Sequence, residues 1–339
     1  MERPAVPPTR RPTMSDVAAR AGVSLKSVSR VINAEAHVRP ELAARVTAAI
    51  EELGYRPDRR ARDLAASPAP RTIGYLQVDA ANPFFAAVYR GLEDALRDEG
   101  LLLIAGSTDA DPARERRLLE TLIEFRVDGF VVAAAEGSDE LLGREVAHGT
   151  PVVCVDRVLA DPACDTVVSS NRDSTRLAVE HLLSRGHERI AFLGGQTEVW
   201  TASERLEGYR QAMRRAGRDV REVTHVDDSE RARRATHELL ADEHPPTAIF
   251  AAQDRISSGA IAGLHDLGRQ RDVALFGFDE LPFAEQLEPS ISVVAQDPYR
   301  MGARAGQLLL ARLRHPSGSV AFEVIDAPLR HRGSGDIPA

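Results

Sequence analysis

Apolar side chains recur at Val17, Ala18, Ala21, Val23, Val28, Val31 and Ile32, a spacing that fits two short helices packed across a tight turn. Gly22 stands where the first helix must end, because glycine takes a left-handed backbone at little cost. Ser24 is placed to cap the second helix. A third helical stretch follows Arg39-Pro40, with proline at the helix start and Leu42, Val46, Ala49, Ile50 and Leu53 at helical spacing up to Gly54. Three such helices close a small core and leave Leu25, Lys26, Ser27, Ser29 and Arg30 on the outer face of the second. That is helix-turn-helix logic, in which the second helix enters the major groove of DNA.

The rhythm changes at Thr72. Runs at 72–78, 101–106, 129–134, 151–155 and 165–168 read as buried parallel strands, with helical stretches at about 83–99, 111–126 and 138–148. The alternation restarts after Asn171: a helix to Gly186, strand 189–193, helices 203–216 and 229–242, strand 247–252, helix 254–267 and strand 272–278. A last helix, 298–313, precedes a terminal strand at 320–327. Strands spaced by helices predict α/β sheets, and two such runs predict two lobes with a cleft between them. Ligands favour the carboxyl ends of such strands. Those ends carry Asp79 to Phe85, Asp156-Arg157, Trp200 to Arg205, Gln253-Asp254 and Asp279.

Composition sharpens this picture at one point. The formal net charge of −8 is uneven: residues 1–71 hold 13 Lys and Arg against 8 Asp and Glu, leaving 30 against 43 for the rest. A basic head on an acidic body suits a DNA-reading module carried by a domain that repels DNA. Cys154 and Cys164 form no disulfide framework, and Cys154 lies in an apolar run, so a buried free thiol is expected. Residues 1–12 read as a disordered leader with no signal-peptide core, and no run approaches a membrane span, so a cytoplasmic protein is expected. The chain has no G-x-x-x-x-G-K-[ST], no G-x-G-x-x-G after its first strand, no G-x-S-x-G and no Cys/His metal spacing. An enzyme, a cofactor and a metal site are therefore not expected.

The ordered set Asp16-Val17-Ala18, Ala21-Gly22-Val23-Ser24, Val28-Ser29-Arg30-Val31-Ile32-Asn33 and Leu53-Gly54-Tyr55-Arg56-Pro57 resembles the LacI/GalR family of bacterial transcriptional regulators. Asn82-Pro83-Phe84-Phe85, Val127-Asp128-Gly129, Arg185-Gly186-His187 and Gly277-Phe278-Asp279 extend the resemblance to nearly the whole chain. It implies a helix-turn-helix domain at 13–56, a hinge helix and linker at 57–71, and a two-lobed core at 72–339 resembling type I periplasmic binding proteins. It also implies a homodimer or tetramer on pseudo-palindromic operator DNA, switched by a small molecule, here expected to be a sugar.

By the same resemblance Leu25, Lys26 and Arg30 are the base-reading candidates, and Arg or Lys can offer paired donors to guanine. Ser15, Ser24, Ser27 and Ser29 are candidates for phosphate contacts, which fix register without reading sequence. Leu64 matches the leucine that the family wedges into the minor groove, with Arg59, Arg60 and Arg62 meeting phosphates or the groove floor. Asp58 departs from the usual asparagine. Arg205 and Asp279 match the family's effector contacts best, with Phe84, Phe85, Asp156, Arg157, Trp200 and Gln253 beside them; Gln253 stands where asparagine is common.

Overall fold

The computed structural model describes residues 12–32, 38–53, 71–133, 139–159 and 164–339. The chain divides into two compact units, Met1–Arg71 and Thr72–Ala339. In the first, α1 (Met14–Ala21), α2 (Leu25–Ile32) and α3 (Pro40–Leu53) enclose Val17, Ala18, Ala21, Val28, Val46 and Ala49. Thr13 and Asp16 form a capping box, with the Thr13 amide donating to Asp16 Oδ2 at 2.7 Å. Gly22 closes α1 with φ of 61°, and the Ser27 amide donates to Ser24 Oγ at 3.1 Å to start α2. Arg45 of α3 donates to the Ala21 carbonyl at 2.6 Å, so a helix end that would otherwise leave acceptors open is tied to the third helix.

The second unit holds two six-stranded sheets. The first lobe contains β1 (Thr72–Gln77), β2 (Leu102–Ser107), β3 (Gly129–Val132), β4 (Val152–Val155) and β5 (Asp165–Ser169). Its helices are α4 (Pro83–Leu96), α5 (Pro112–Glu124) and α6 (Asp139–Ala147). The chain then enters the second lobe through α7 (Asn171–Ser184). There follow β6 (Ile190–Leu193), α8 (Trp200–Arg215), β7 (Arg221–Val223), α9 (Ser229–Leu240), β8 (Ala248–Ala251), α10 (Asp254–Asp266), β9 (Ala274–Phe278) and β10 (Ser292–Val294). It returns to the first lobe for α11 (Pro298–Arg314) and β11 (Phe322–Ile325), and ends in the second with β12 (Leu329–Arg330). The chain therefore crosses between lobes three times.

The first sheet runs β11-β5-β4-β3-β1-β2, all parallel; the second runs β12-β10-β9-β8-β6-β7, parallel except for β12 against β10. The central strands, buried on both faces, read as continuous apolar runs without alternation, whereas the edge strand β2, expected to be buried, is largely exposed. Each sheet has an apolar layer on either side. Phe85, Val88 and Leu92 of α4 meet Met301, Ala305 and Leu309 of α11 on one face of the first, and Leu119, Leu122 and Leu142 cover the other. In both lobes the strand order reverses next to the first strand, between β1 and β3 and between β6 and β8. Such switch points open a crevice at the carboxyl ends, the position where ligands bind.

The sequence reading differs from this fold in three short strands. β7, β10 and β12 have three, three and two residues, too few for a hydrophobic period to register. α8 begins at Trp200, three residues before the expected start at 203.

Candidate ligand cleft and nucleic-acid interface

A cavity of about 480 Å³ lies between the lobes, walled by residues that follow β1, β4, β6, β8, β9 and β10. At its base sits Arg205, 6% exposed, on the second turn of α8. Its Nε donates to Asn171 Oδ1 at 2.7 Å and one terminal nitrogen donates to the Ala252 carbonyl at 2.8 Å. The guanidinium carbon lies 3.7 Å from the centre of the Phe278 ring, a cation–π contact that suits a weakly hydrated planar cation. Burial pulls Arg205 below the usual guanidinium value, and Asp279, Asp156 and Asp254 oppose that pull.

Two aspartates from opposite lobes face this cation. Asp156 follows β4 with φ of 67° and Asp279 follows β9 with φ of 76°. Both backbones are left-handed, a conformation that aspartate tolerates better than most residues but that still costs on the order of 1–3 kcal/mol. The turn swings each carboxyl off the strand end and into the cleft. Burial raises the pKa of Asp156 against the lowering effect of Arg205 and Arg157. Burial lifts Asp279 to about 6, again opposed by Arg205 and by the Gln296 amide, which donates to Asp279 Oδ1. Asp254 Oδ1 and Gln296 Oε1 are buried cleft atoms with no hydrogen-bond partner among the described residues. Both are acceptors, so they match a ligand rich in hydroxyl donors. Across the cleft, Arg255 of α10 pairs with Asp79 beyond β1 and links the two lobes directly.

The sequence-selected residues divide as follows. Phe84, Phe85, Asp156, Arg157, Arg205, Gln253 and Asp279 all line the cavity. The Phe84 and Phe85 rings stand edge to face at 5.1 Å, on a helix start where Asn82 Oδ1 accepts the Phe84 amide at 2.9 Å. Trp200 does not line it, whereas Thr201, Ala202 and Arg205 do. The reason is the early start of α8: at about 100° per residue, Trp200 points well away from the arc shared by Thr201, Ala202 and Arg205. Several groups in or behind the cleft escaped sequence reasoning. Asn171 was hidden at a lobe crossing, Gln296 follows a strand too short to read, and Arg255 gains its role only from the opposite lobe.

On the three-helix unit, Leu25 is 51% exposed, and Lys26, Ser15 and Ser24 are exposed as well. Ser27, Ser29 and Arg30 are half-buried. Ser24 and Ser27 bond to each other through their hydroxyls at 2.9 Å. The hinge candidates Arg59, Arg60, Arg62 and Leu64 lie outside the described residues. Among the described residues, no helix is long and apolar enough to cross a membrane.

Comparison with known proteins gives these two regions a common identity. Residues 13–58 match the model for bacterial regulatory proteins of the lacI family, and residues 70–315 match that for periplasmic binding proteins and the sugar-binding domain of the LacI family. The chain is 34% identical over 330 residues to the ribose operon repressor of Escherichia coli K12, covering 95% of this chain and 99% of that one. A LacI family transcriptional regulator from Enterococcus faecium with bound ribose superposes with a TM-score of 0.71 at 26% identity, over 78% of this chain and 98% of that one. The lac repressor dimer bound to operator and the anti-inducer ONPF gives 0.77 at 25% identity, over 96% and 99%. With its helix-turn-helix unit and its two-lobed core, this chain belongs to the LacI family and is a DNA-binding transcriptional regulator.

Proposed function

We propose that this protein represses genes for the uptake or breakdown of a sugar, and that a ribose-like sugar bound between the lobes releases it from its operator. The observation that carries the reading is the buried Arg205, which lines one cavity with the carboxyls of Asp156 and Asp279 from opposite lobes and is attracted by both. A sugar hydroxyl both donates and accepts, so one molecule can satisfy the guanidinium, the two aspartates, Gln253 and the open acceptors of Asp254 and Gln296. Phe84 and Phe85 supply an apolar wall for the ring, and Arg157 a further donor. Both the ribose operon repressor and the ribose-bound regulator are relatives of this chain.

A sugar that touches both lobes favours one lobe arrangement over the other, and only that difference in affinity can move the operator equilibrium. On the DNA side, Lys26 and Arg30 read base edges, Leu25 makes apolar contact, and the serines hold phosphates. Arg59, Arg60 and Arg62 are assigned to the hinge contacts and Leu64 to the wedge. The protein works as a cytoplasmic homodimer on a pseudo-palindromic site, as a regulator and not an enzyme. The test is selection of an operator from random duplexes, followed by anisotropy titration with and without ribose. The expected result is a weakening of operator binding within the usual coupling range of about 5- to 150-fold. Operator affinity that stays the same with ribose and with every other sugar of a panel overturns the reading.

A further inference from the structure

Cys154 and Cys164 are both buried and free, yet their Sγ atoms approach to 3.1 Å. They sit in the apolar layer under α5 and α6, Cys154 on β4 and Cys164 immediately before β5. Cys154 comes two residues before Asp156, and the amide of Leu159 hydrogen-bonds its sulfur. The stretch carrying Asp156 and Arg157 is therefore held at one end by the Cys154 thiol and leads to Cys164 at the other. An S–S bond is about 2.05 Å long, so covalent closure needs roughly 1 Å more approach and must shift backbone on at least one side.

The geometry points to this pair as an oxidisable dithiol, a modification site whose disulfide repositions the loop bearing Asp156 and Arg157 and so tunes the cleft. Hydrogen peroxide is the oxidant class. The Cys164 sulfur attacks one peroxide oxygen, the O–O bond breaks, and the departing hydroxide takes up a proton as water. The Cys154 sulfur then attacks the resulting sulfenic acid at sulfur; the S–O bond breaks and a second water leaves. Two thiols are oxidised by two electrons and one peroxide is reduced to two waters. Cys164 is assigned the first attack because the hydrogen bond between the two sulfurs lowers its pKa while that bond and burial push Cys154 up.

The test uses the full chain, treated with hydrogen peroxide, capped with N-ethylmaleimide and weighed intact. The expected product has lost two hydrogens, carries no maleimide, and returns to two cappable thiols with dithiothreitol; Cys164→Ser abolishes the cross-link. Hydrogen exchange of the peptide spanning 155–159 is expected to differ between oxidised and reduced protein. On the proposed sugar reading, ribose affinity is expected to shift by about fivefold or more, reversibly. Two thiols that remain cappable, or that oxidise singly, overturn the site. A disulfide that leaves both the exchange of 155–159 and ribose affinity unchanged overturns its role. Reduced protein that binds no ribose counts against the sugar reading alone, because mass and exchange still decide the dithiol.

Discussion

At the scale of single residues, Asp279 makes the cleft sensitive to acid. An unfolded aspartate titrates near 3.9, while burial holds Asp279 at about 6. Between those values the native protein keeps a proton that the unfolded chain has released. This contribution to stability is complete below about pH 4 and is lost as pH rises through 6. Asp279→Asn removes the loss, so in sugar-free protein the melting temperature of the variant gains on the wild type between pH 4 and 7. A constant difference across that range contradicts the assignment. On the DNA side, Lys26→Ala is expected to relax preference at one operator position by about 1–3 kcal/mol, read by competition between operators altered base by base. Residues of this kind were legible where a motif or strand end marked them, as with Arg205 and Asp279. Asn171 and Gln296 were not, because their value lies in what they touch: one orients Arg205 and the other Asp279.

At the scale of elements, the tightest constraint in the core is the crossing of α4 and α11. A Cβ at Gly302 would run into the Val88 carbonyl, and one at Gly91 into that of Tyr299. The two backbones touch there, so glycine is needed for room and not for an unusual backbone angle. Gly302→Ala is expected to destabilise by about 1–3 kcal/mol, the ordinary cost of overpacking. A denaturant midpoint equal to the wild type would show that the helices separate without penalty. Helices and strands of four or more residues were readable from apolar spacing, including every member of the first sheet. Their boundaries were not always so: the expected start of α8 at 203 left Trp200 in a strand-end loop, where the helix in fact begins. Strands as short as β10 gain their identity from neighbours, since two or three residues carry no period.

At the scale of the molecule, the chain crosses between lobes at Ser169–Asn171, Ala295–Pro298 and Ile325–Leu329, and the second crossing carries Gln296 into the cleft wall. Arg205 lines the cleft and is attracted by carboxylates of both lobes, which makes it the residue on which the proposed coupling between them is tested. Arg205→Gln is expected to weaken sugar binding by about 100-fold or more, in line with the loss of a buried charged hydrogen-bond partner. Operator affinity without sugar should stay near that of the wild type, while the response to sugar disappears. Calorimetry and operator anisotropy separate these effects, and a variant that still responds would remove Arg205 from the coupling. The basic head and acidic body belong to this scale too, since residues 1–71 carry the positive excess and the remainder the negative one.

The sequence by itself determined the three-helix unit, the alternation of strands and helices, and the placing of Asp156 and Asp279 at strand ends. Those features follow from local periodicity, capping and turn chemistry, which are written in neighbouring residues. Only the tertiary structure decided that Asp156 and Asp279 face one guanidinium from opposite lobes, that Arg255 reaches Asp79, and that two cysteines ten residues apart meet sulfur to sulfur. Each of these joins segments through parallel strands and lobe crossings, where side chains are brought together by sheet register and by the returning chain. A period in the sequence records which face of an element is buried; it does not record what stands opposite.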